Sequence, residues 1–212
     1  MTPPAAARIE SPAASPPRDG RAARAQRTRE TLADALLDLL ERGELAPGAK
    51  RIAAHAGVSE RTVFQHFADL ETLFAAVADR QLARLGAGFA PEAEPGAALE
   101  RRIAALVGAR AALYERIGPV RRAALLQAPF SAAIDARLDA MRRSLRAEAL
   151  RLFEPELRGR AARDRREVAD ALCAALSFSA WEHLRRHAGA SRARAERAVA
   201  RTLAALLGSH TP

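Results

Sequence analysis

The chain has 212 residues, a formal net charge of +9, and apolar residues at 49% but aromatics at only 4%. That length suits one medium domain or two small ones. The apolar residues are mostly Ala and Leu, so an all-α core is expected and a sheet-rich one disfavoured. A single cysteine, Cys173, excludes an intrachain disulfide and a cysteine-based zinc site, and no apolar run reaches the roughly 18 residues that a membrane span needs.

The basic excess is almost entirely arginine, with Lys50 the one lysine. Such a balance suits a nucleic-acid partner, because neutralising phosphates drives sequence-independent affinity. It follows equally from GC-rich codons, which favour Ala and Arg. Within residues 24–45, moreover, Glu30, Asp34, Asp38, Glu41 and Glu44 offset the arginines. Net charge alone does not point to DNA.

In chain order, residues 1–20 are rich in Pro, Ala and Ser with almost no large apolar side chain. They predict a disordered tail and contain no secretory signal. Arg18, Arg21, Arg24, Arg27 and Arg29 then lead into the first helix, as a solvated helix start or as an arm reaching along DNA. That helix is predicted over Ala23–Arg42, with Leu32, Leu36, Leu39 and Leu40 on one face and Gly43 as its C-terminal cap. Pro47-Gly48 break the chain before a short helix over Ala49–Ala56, which Gly57 ends. Ser59 is placed to cap a third helix running to Phe67. Asp69 caps a fourth, reaching Leu85, with Leu70, Leu73, Phe74 and Val77 on its inner face. Residues 86–96 are Gly- and Pro-rich and read as a linker. Beyond it, helices are expected over 97–117, 119–128, 130–153, 164–188 and 191–208, punctuated by Pro119, Pro129, Pro155 and Gly189. No repeat and no strand candidate is evident.

The segment from Lys50 to Phe67 has the pattern of a helix-turn-helix: two short helices joined by a tight turn containing glycine. Ile52, Ala53 and Val58 supply apolar contacts, Ala56 permits close approach, and Gly57 can take a positive φ that a β-carbon opposes. Val63 and Phe67, four residues apart, anchor the second helix inward. Glu60, Arg61, Thr62, Phe64, Gln65 and His66 are left near its exposed faces, where a recognition helix meets the major groove. Phe64 and His66 also admit places in the core. His55 reads as a surface residue.

The run RIAAHAGVSERTVFQHFADLETLF resembles the signature of TetR-type regulators, and the resemblance extends over residues 24–80. It implies an N-terminal helix-turn-helix domain and a C-terminal helical domain that dimerises and binds a ligand, about nine helices in all. The boundaries fall at 1–20 for the tail, 21–68 for the DNA-binding domain, 69–85 for a connecting helix and 86–212 for the effector-binding and dimerisation domain. The implied function is a cytoplasmic transcriptional regulator, a ligand-responsive repressor that grips a palindromic double-stranded operator as a homodimer. No cofactor, metal or membrane is involved.

Carried over by position, Arg61 and Gln65 face base edges, where Arg suits guanine and Gln suits adenine. Thr62, Phe64 and His66 occupy positions that usually hold phosphates and seat the helix, Ser59 lies at its start, and Lys50 and Arg51 lie near the backbone. Glu60 either accepts from cytosine or stabilises the helix N-terminus through the dipole. Three departures remove phosphate contacts: Phe64 where the family often has Tyr, Gly48-Ala49 where a Thr commonly precedes the second helix, and Leu70 where many members carry Lys.

In the C-terminal part, one predicted helix carries Val168, Leu172, Leu176, Ala180 and Leu184, and the last carries Val199, Leu203, Leu206 and Leu207. With Ala175, Ala195 and Ala198 these stripes suit either a four-helix dimer bundle or core packing within one subunit. Candidate pocket residues are Leu106, Tyr114, Phe130, Leu145, Cys173, Phe178 and Trp181, and a pocket with few polar groups would favour an apolar effector of unreadable identity. His183 and His187 sit four apart but lack a third ligand at metal spacing, and read as solvated. Arg137, Arg142, Arg143, Arg146 and Arg151 read as a solvated face, with Asp139 and Glu148 available as helix-surface partners. Nothing pairs a nucleophile with a base or cradles phosphate, so an enzyme is not expected. A helical module that no longer binds DNA is the remaining alternative.

Overall fold

The computed structural model describes residues 19–85 and 89–208, with the side chains of Asp19 and of residues 82–85 left aside. The predicted tail, apart from Asp19 and Gly20, lies outside the described residues, as does Arg18. Among the described residues the fold is all helical: α1 Asp19–Glu41, α2 Ala49–Ala56, α3 Glu60–His66, α4 Leu70–Leu85, α5 Leu99–Gln127, α6 Ala132–Leu152, α7 Glu154–Arg158, α8 Ala162–Ala175, α9 Phe178–Glu182 and α10 Arg192–Gly208. A single 3₁₀ turn, Ala128–Phe130, precedes α6, and a π-helical turn, His183–His187, follows α9.

The N-terminal helices follow from local signals. Leu32, Leu36, Leu39 and Leu40 of α1 are wholly buried. The helix ends where Gly43 takes a φ of +91°, so that its N–H reaches the Leu40 carbonyl and the N–H of Glu44 reaches that of Leu39. The same paired geometry closes α2. Gly57 adopts a φ of +70°, its N–H bonds Ala54 O, and the N–H of Val58 bonds Ala53 O. Ser59 Oγ accepts from the Thr62 N–H at 3.2 Å and opens α3, and Asp69 Oδ1 accepts from the Thr72 N–H at 2.7 Å and opens α4. Ile52, Val63, Phe67, Leu73 and Val77 join the α1 leucines in one core, which also takes in Val120 and Ala123 of α5 and Ile134 and Leu138 of α6. The helix-turn-helix is therefore packed on the C-terminal helices as well as on itself.

Three predicted boundaries differ. Pro119 does not end a helix but lies inside α5, which runs unbroken for 29 residues. A proline there forfeits one backbone hydrogen bond and costs about 3 kcal/mol. The preceding Gly118 has no β-carbon to meet the proline ring. Burial of Tyr114, Ile117, Val120 and Ala123 on either side offsets the rest. Conversely, the predicted helix over 164–188 is broken after Ala175. Ser177 caps α9 by accepting from the Ala180 N–H at 3.1 Å, while the Tyr114 hydroxyl donates to the freed Leu176 carbonyl at 2.9 Å. Finally, α6 starts at the Ser131 cap rather than at Phe130, and Pro155 opens the separate short α7.

The apolar stripes of the last helices are consumed inside the subunit. Val168, Leu172, Leu176, Val199, Leu203 and Leu207 are all buried, packed with Ile103, Leu106 and Val107 of α5 and Leu152 and Phe153 of α6, or lying beside that core. A third cluster joins the middle of α5 to α9 through Tyr114, Ile117, Phe178 and Trp181. The outward faces of α8 and α10 carry exposed Ala171, Ala174 and Ala204 among charged residues. No described helix is long and apolar enough to cross a membrane.

Candidate nucleic-acid interface

The turn at Gly57 and the two caps set how α3 is presented. Val63 and Phe67 point into the α1–α4 core, and Glu60, Arg61, Phe64 and Gln65 point out. Phe64 is 51% exposed, which removes the core alternative for it, while His66 and Thr62 are half-buried. An aromatic ring left on the surface of a seven-residue helix gains nothing for the subunit, and its placement beside two long polar side chains suits a partner surface. Thr62 Oγ1 lies 2.8 Å from Ser59 Oγ, so this hydroxyl pair is held at the start of α3. Arg29 of α1 stacks its guanidinium 4.7 Å from the centre of the Phe67 ring and props the inner side of the same helix.

Charge on this face is sorted by pairing. Lys50, Glu60, Arg61 and Gln65 are exposed and make no ion pair or side-chain hydrogen bond among the described residues. Arg51 is different. It forms a two-pronged pair with Glu44 at 2.9 and 2.6 Å, which holds the Glu44 carboxyl below its ordinary pKa. Its charge is thus balanced within the protein. His55 is neither free nor at the outer face: its Nε2 lies 2.5 Å from Asp38 Oδ2 and ties α2 to α1. That contact, with Arg42 second, lowers the Asp38 pKa. The Thr72 N–H and hydroxyl likewise lower that of the Asp69 cap.

The candidate pocket residues divide. Tyr114, Leu145, Cys173 and Phe178 line one cavity of about 240 Å³ between α5, α6 and the α8–α9 junction. Leu106 is sealed in the core. Trp181 is buried with its indole N–H donating to Glu115 at 3.0 Å, and Phe130 stands 86% exposed at the far end of α5. The walls also hold residues that sequence did not single out for a pocket: Arg110, Arg121, Arg142 and Arg146. Arg142 and Arg146, expected on a solvated face, edge this cavity. Glu148, expected to pair along its own helix, instead reaches Arg110 of α5 at 2.7 Å. Only the Gly118-Pro119 break just upstream could have drawn attention to Arg121.

A second cavity of about 610 Å³ lies between α4, α5 and α6, with Phe74, Ile117, Val120, Leu138 and Met141 among its walls. Arg121 and Leu145 border both cavities. Helix α4 connects this space to the helix-turn-helix. Arg80 of α4 forms a two-pronged pair with Asp34 of α1 at 2.7 Å in each arm, and Asp79 of α4 pairs with Arg137 of α6 at 2.5 Å. Burial raises the pKa of both Tyr114 and Cys173, keeping phenol and thiol neutral. His183 and His187 have ring centres 5.9 Å apart, and no group of three metal-ligating side chains occurs among the described residues.

Comparison with known proteins agrees with this geometry. Residues 34–77 match the family model for bacterial regulatory proteins of the tetR family. No curated protein matches the sequence. Among solved structures, a transcriptional regulator from Rhodococcus sp. RHA1 is 22% identical, with a TM-score of 0.66 over 87% of this chain and 99% of that one. A TetR-like transcriptional regulator from the same organism is 19% identical, with a TM-score of 0.56 over 86% and 97% of the two chains. A structure described as a TetR-family transcriptional regulator from Mesorhizobium loti is 20% identical, with a TM-score of 0.57 over 87% and 97%. Residues 34–77 thus match the helix-turn-helix model of bacterial regulatory proteins of the tetR family, and the helical architecture around them is the fold of these three solved structures.

Proposed function

We propose that the protein is a ligand-responsive repressor that binds a palindromic operator as a homodimer. The observation that carries this reading is the division of α3: Val63 and Phe67 buried, Arg61, Phe64 and Gln65 exposed and uncommitted. In this reading Arg61 and Gln65 read base edges. Ser59, Thr62, His66 and Lys50 seat the helix on phosphates, Phe64 packs its ring against the backbone beside them, and Glu60 complements the N-terminal dipole of α3. Residues 21–68 form the DNA-binding domain, α4 the connector, and residues 86–212 the effector-binding and dimerisation domain. The exposed alanines of α8 and α10 would let two subunits approach closely, setting two recognition helices roughly 34–36 Å apart or at a comparable groove spacing. The cavity against α4 supplies the switch. An occupant that favours one placement of α4 shifts the population of head separations, and the Arg80–Asp34 pair transmits the change to α1.

The test is fluorescence anisotropy on fragments upstream of the protein's own gene, at several salt concentrations. Specific, salt-sensitive binding is expected. Arg61→Ala should relax sequence preference, whereas Lys50→Ala should weaken all sequences alike. Absence of specific retention on any upstream fragment, in a protein that still dimerises, would instead select a helical module that has lost DNA binding.

A further inference from the structure

We infer that the effector is an organic carboxylate with an apolar body, its carboxylate seated on Arg121 and its body in the cavity between α4, α5 and α6. This rests on the reading that these cavities take the effector, and deepens it. Arg121 is only 7% exposed, yet its one hydrogen bond among the described residues runs from Nη1 to the thioether sulfur of Met141 at 3.0 Å. Its Nε is buried without a partner, and its guanidinium carbon lies 5.2 Å from the centre of the Phe178 ring. The other arginines of the smaller cavity are engaged: Arg110 with Glu148 at 2.7 Å, Arg146 with Asp170 at 2.8 Å, and Arg142 with Asp139. No Asp or Glu lines that cavity among the described residues. Burial is the main cause that depresses the Arg121 pKa; the Tyr114 phenol opposes it, Arg142 adds to it, and no carboxylate is among the groups acting on it.

A buried cation without a counter-charge is costly, and proteins otherwise pair such groups. A guanidinium presents donors in a planar fork that matches a carboxylate, and the match is strongest where water is excluded. One uncommitted cation suits one negative charge. A phosphate monoester, with close to two charges and three acceptor oxygens, would call for more free donors than this site holds. The larger cavity continues from Arg121 along apolar walls, and the one acid among its described lining residues, Asp79, is already paired with Arg137. A single charged head followed by an apolar body is the shape this arrangement accommodates.

The experiment uses the full chain and two matched pairs of probes, dodecanoate with dodecanol and phenylbutanoate with phenylbutanol. Binding is followed by calorimetry. At least one carboxylate should bind about tenfold or more tightly than its alcohol. Arg121→Met should abolish that preference while leaving the thermal midpoint of the free protein no lower, because the unpaired cation is gone. Arg121→Lys, which keeps the charge, should retain a preference, and it tests the inference if the Met variant does not fold. Carboxylates that bind no better than their alcohols, or a preference that survives Arg121→Met, would overturn the inference. Repeating the titrations on the DNA complex separates the two readings. Release by alcohol and carboxylate alike would retain an effector cavity and remove the carboxylate. Carboxylate binding at Arg121 that leaves DNA untouched would retain the site and remove its effector role.

Discussion

The Arg51–Glu44 pair makes a quantitative prediction about DNA affinity. Lys50 and Arg51 are neighbours at the start of α2, both exposed, and by residue type alone both would neutralise phosphates. The structure distinguishes them, because Arg51 is held on Glu44 by two hydrogen bonds and Lys50 has no partner among the described residues. Each phosphate neutralised contributes about 0.9 to the slope of log affinity against log salt, so losing one weakens the salt dependence between 50 and 200 mM by about 3.5-fold. Lys50→Ala should therefore flatten the slope by about 0.9. Glu44→Gln should steepen it by up to about 0.9, because Arg51 is then free to turn to a phosphate. The double variant Glu44→Gln/Arg51→Ala, which removes one charge of each sign, should return to the wild-type slope. Anisotropy titrations on a non-specific duplex read this without knowledge of the operator. If the double variant loses as much slope as Lys50→Ala, Arg51 contacts phosphate despite Glu44, and internal neutralisation is wrong.

Other expectations follow from single positions. Gly57→Ala places a β-carbon with no neighbour within 4 Å, so its cost is the left-handed backbone alone, about 1 kcal/mol of destabilisation. Gly108→Ala, equally unobstructed but inside α5, should stabilise by about 0.5–1 kcal/mol, and urea melts that gave both changes one sign would contradict the argument. Phe64→Ala should alter stability by no more than about 0.5 kcal/mol while reducing DNA affinity, and Phe64→Tyr should raise that affinity by adding a hydroxyl for a phosphate. The Asp38 and Asp69 carboxyls have folded pKa values below their ordinary ones. Their contribution is thus complete above the ordinary carboxylate range and is lost as pH falls through the lowered folded values. Chemical denaturation should show stability level from neutrality to about pH 5 and declining below about pH 4. Asp69→Asn, which still caps α4, should shallow that decline, and an unchanged acid limb would remove Asp69 from the account.

What was legible in the sequence is what is decided locally. The helix-turn-helix is written in Gly43, Gly57, Ser59 and Asp69, each acting on backbone groups within a few residues, and α2 and the caps of α3 and α4 fall where those residues require. The same locality explains the failures. Pro119 is a strong local signal to stop, overridden because Ile117 and Val120 are drawn into different parts of the core on its two sides. Leu176 fits the helical period of its neighbours, yet the chain breaks there because Tyr114, 62 residues away, supplies a donor for its carbonyl.

Periodicity identifies which face of a helix is buried but not what buries it. The stripe from Val168 to Leu176 is equally consistent with a second subunit and with α5, α6 and α10 of its own, and it is the latter that cover it. The dimer proposed above would therefore use the other faces of α8 and α10, where small side chains rather than leucines are exposed. The arginines show the same limit for charge. Arg110 and Arg121 stand on one helix, eleven positions apart and both buried, and apart from the Gly118-Pro119 break upstream of the second, nothing in their neighbours along the chain tells which of them is paired. Glu148 crosses from α6 to meet the first, and among the described residues no acid meets the second. A buried charge becomes a structural tie or an open site according to what the rest of the fold brings opposite it. The ligand chemistry proposed for this protein therefore follows from a counter-charge that the fold withholds from Arg121, and only three-dimensional placement makes that visible.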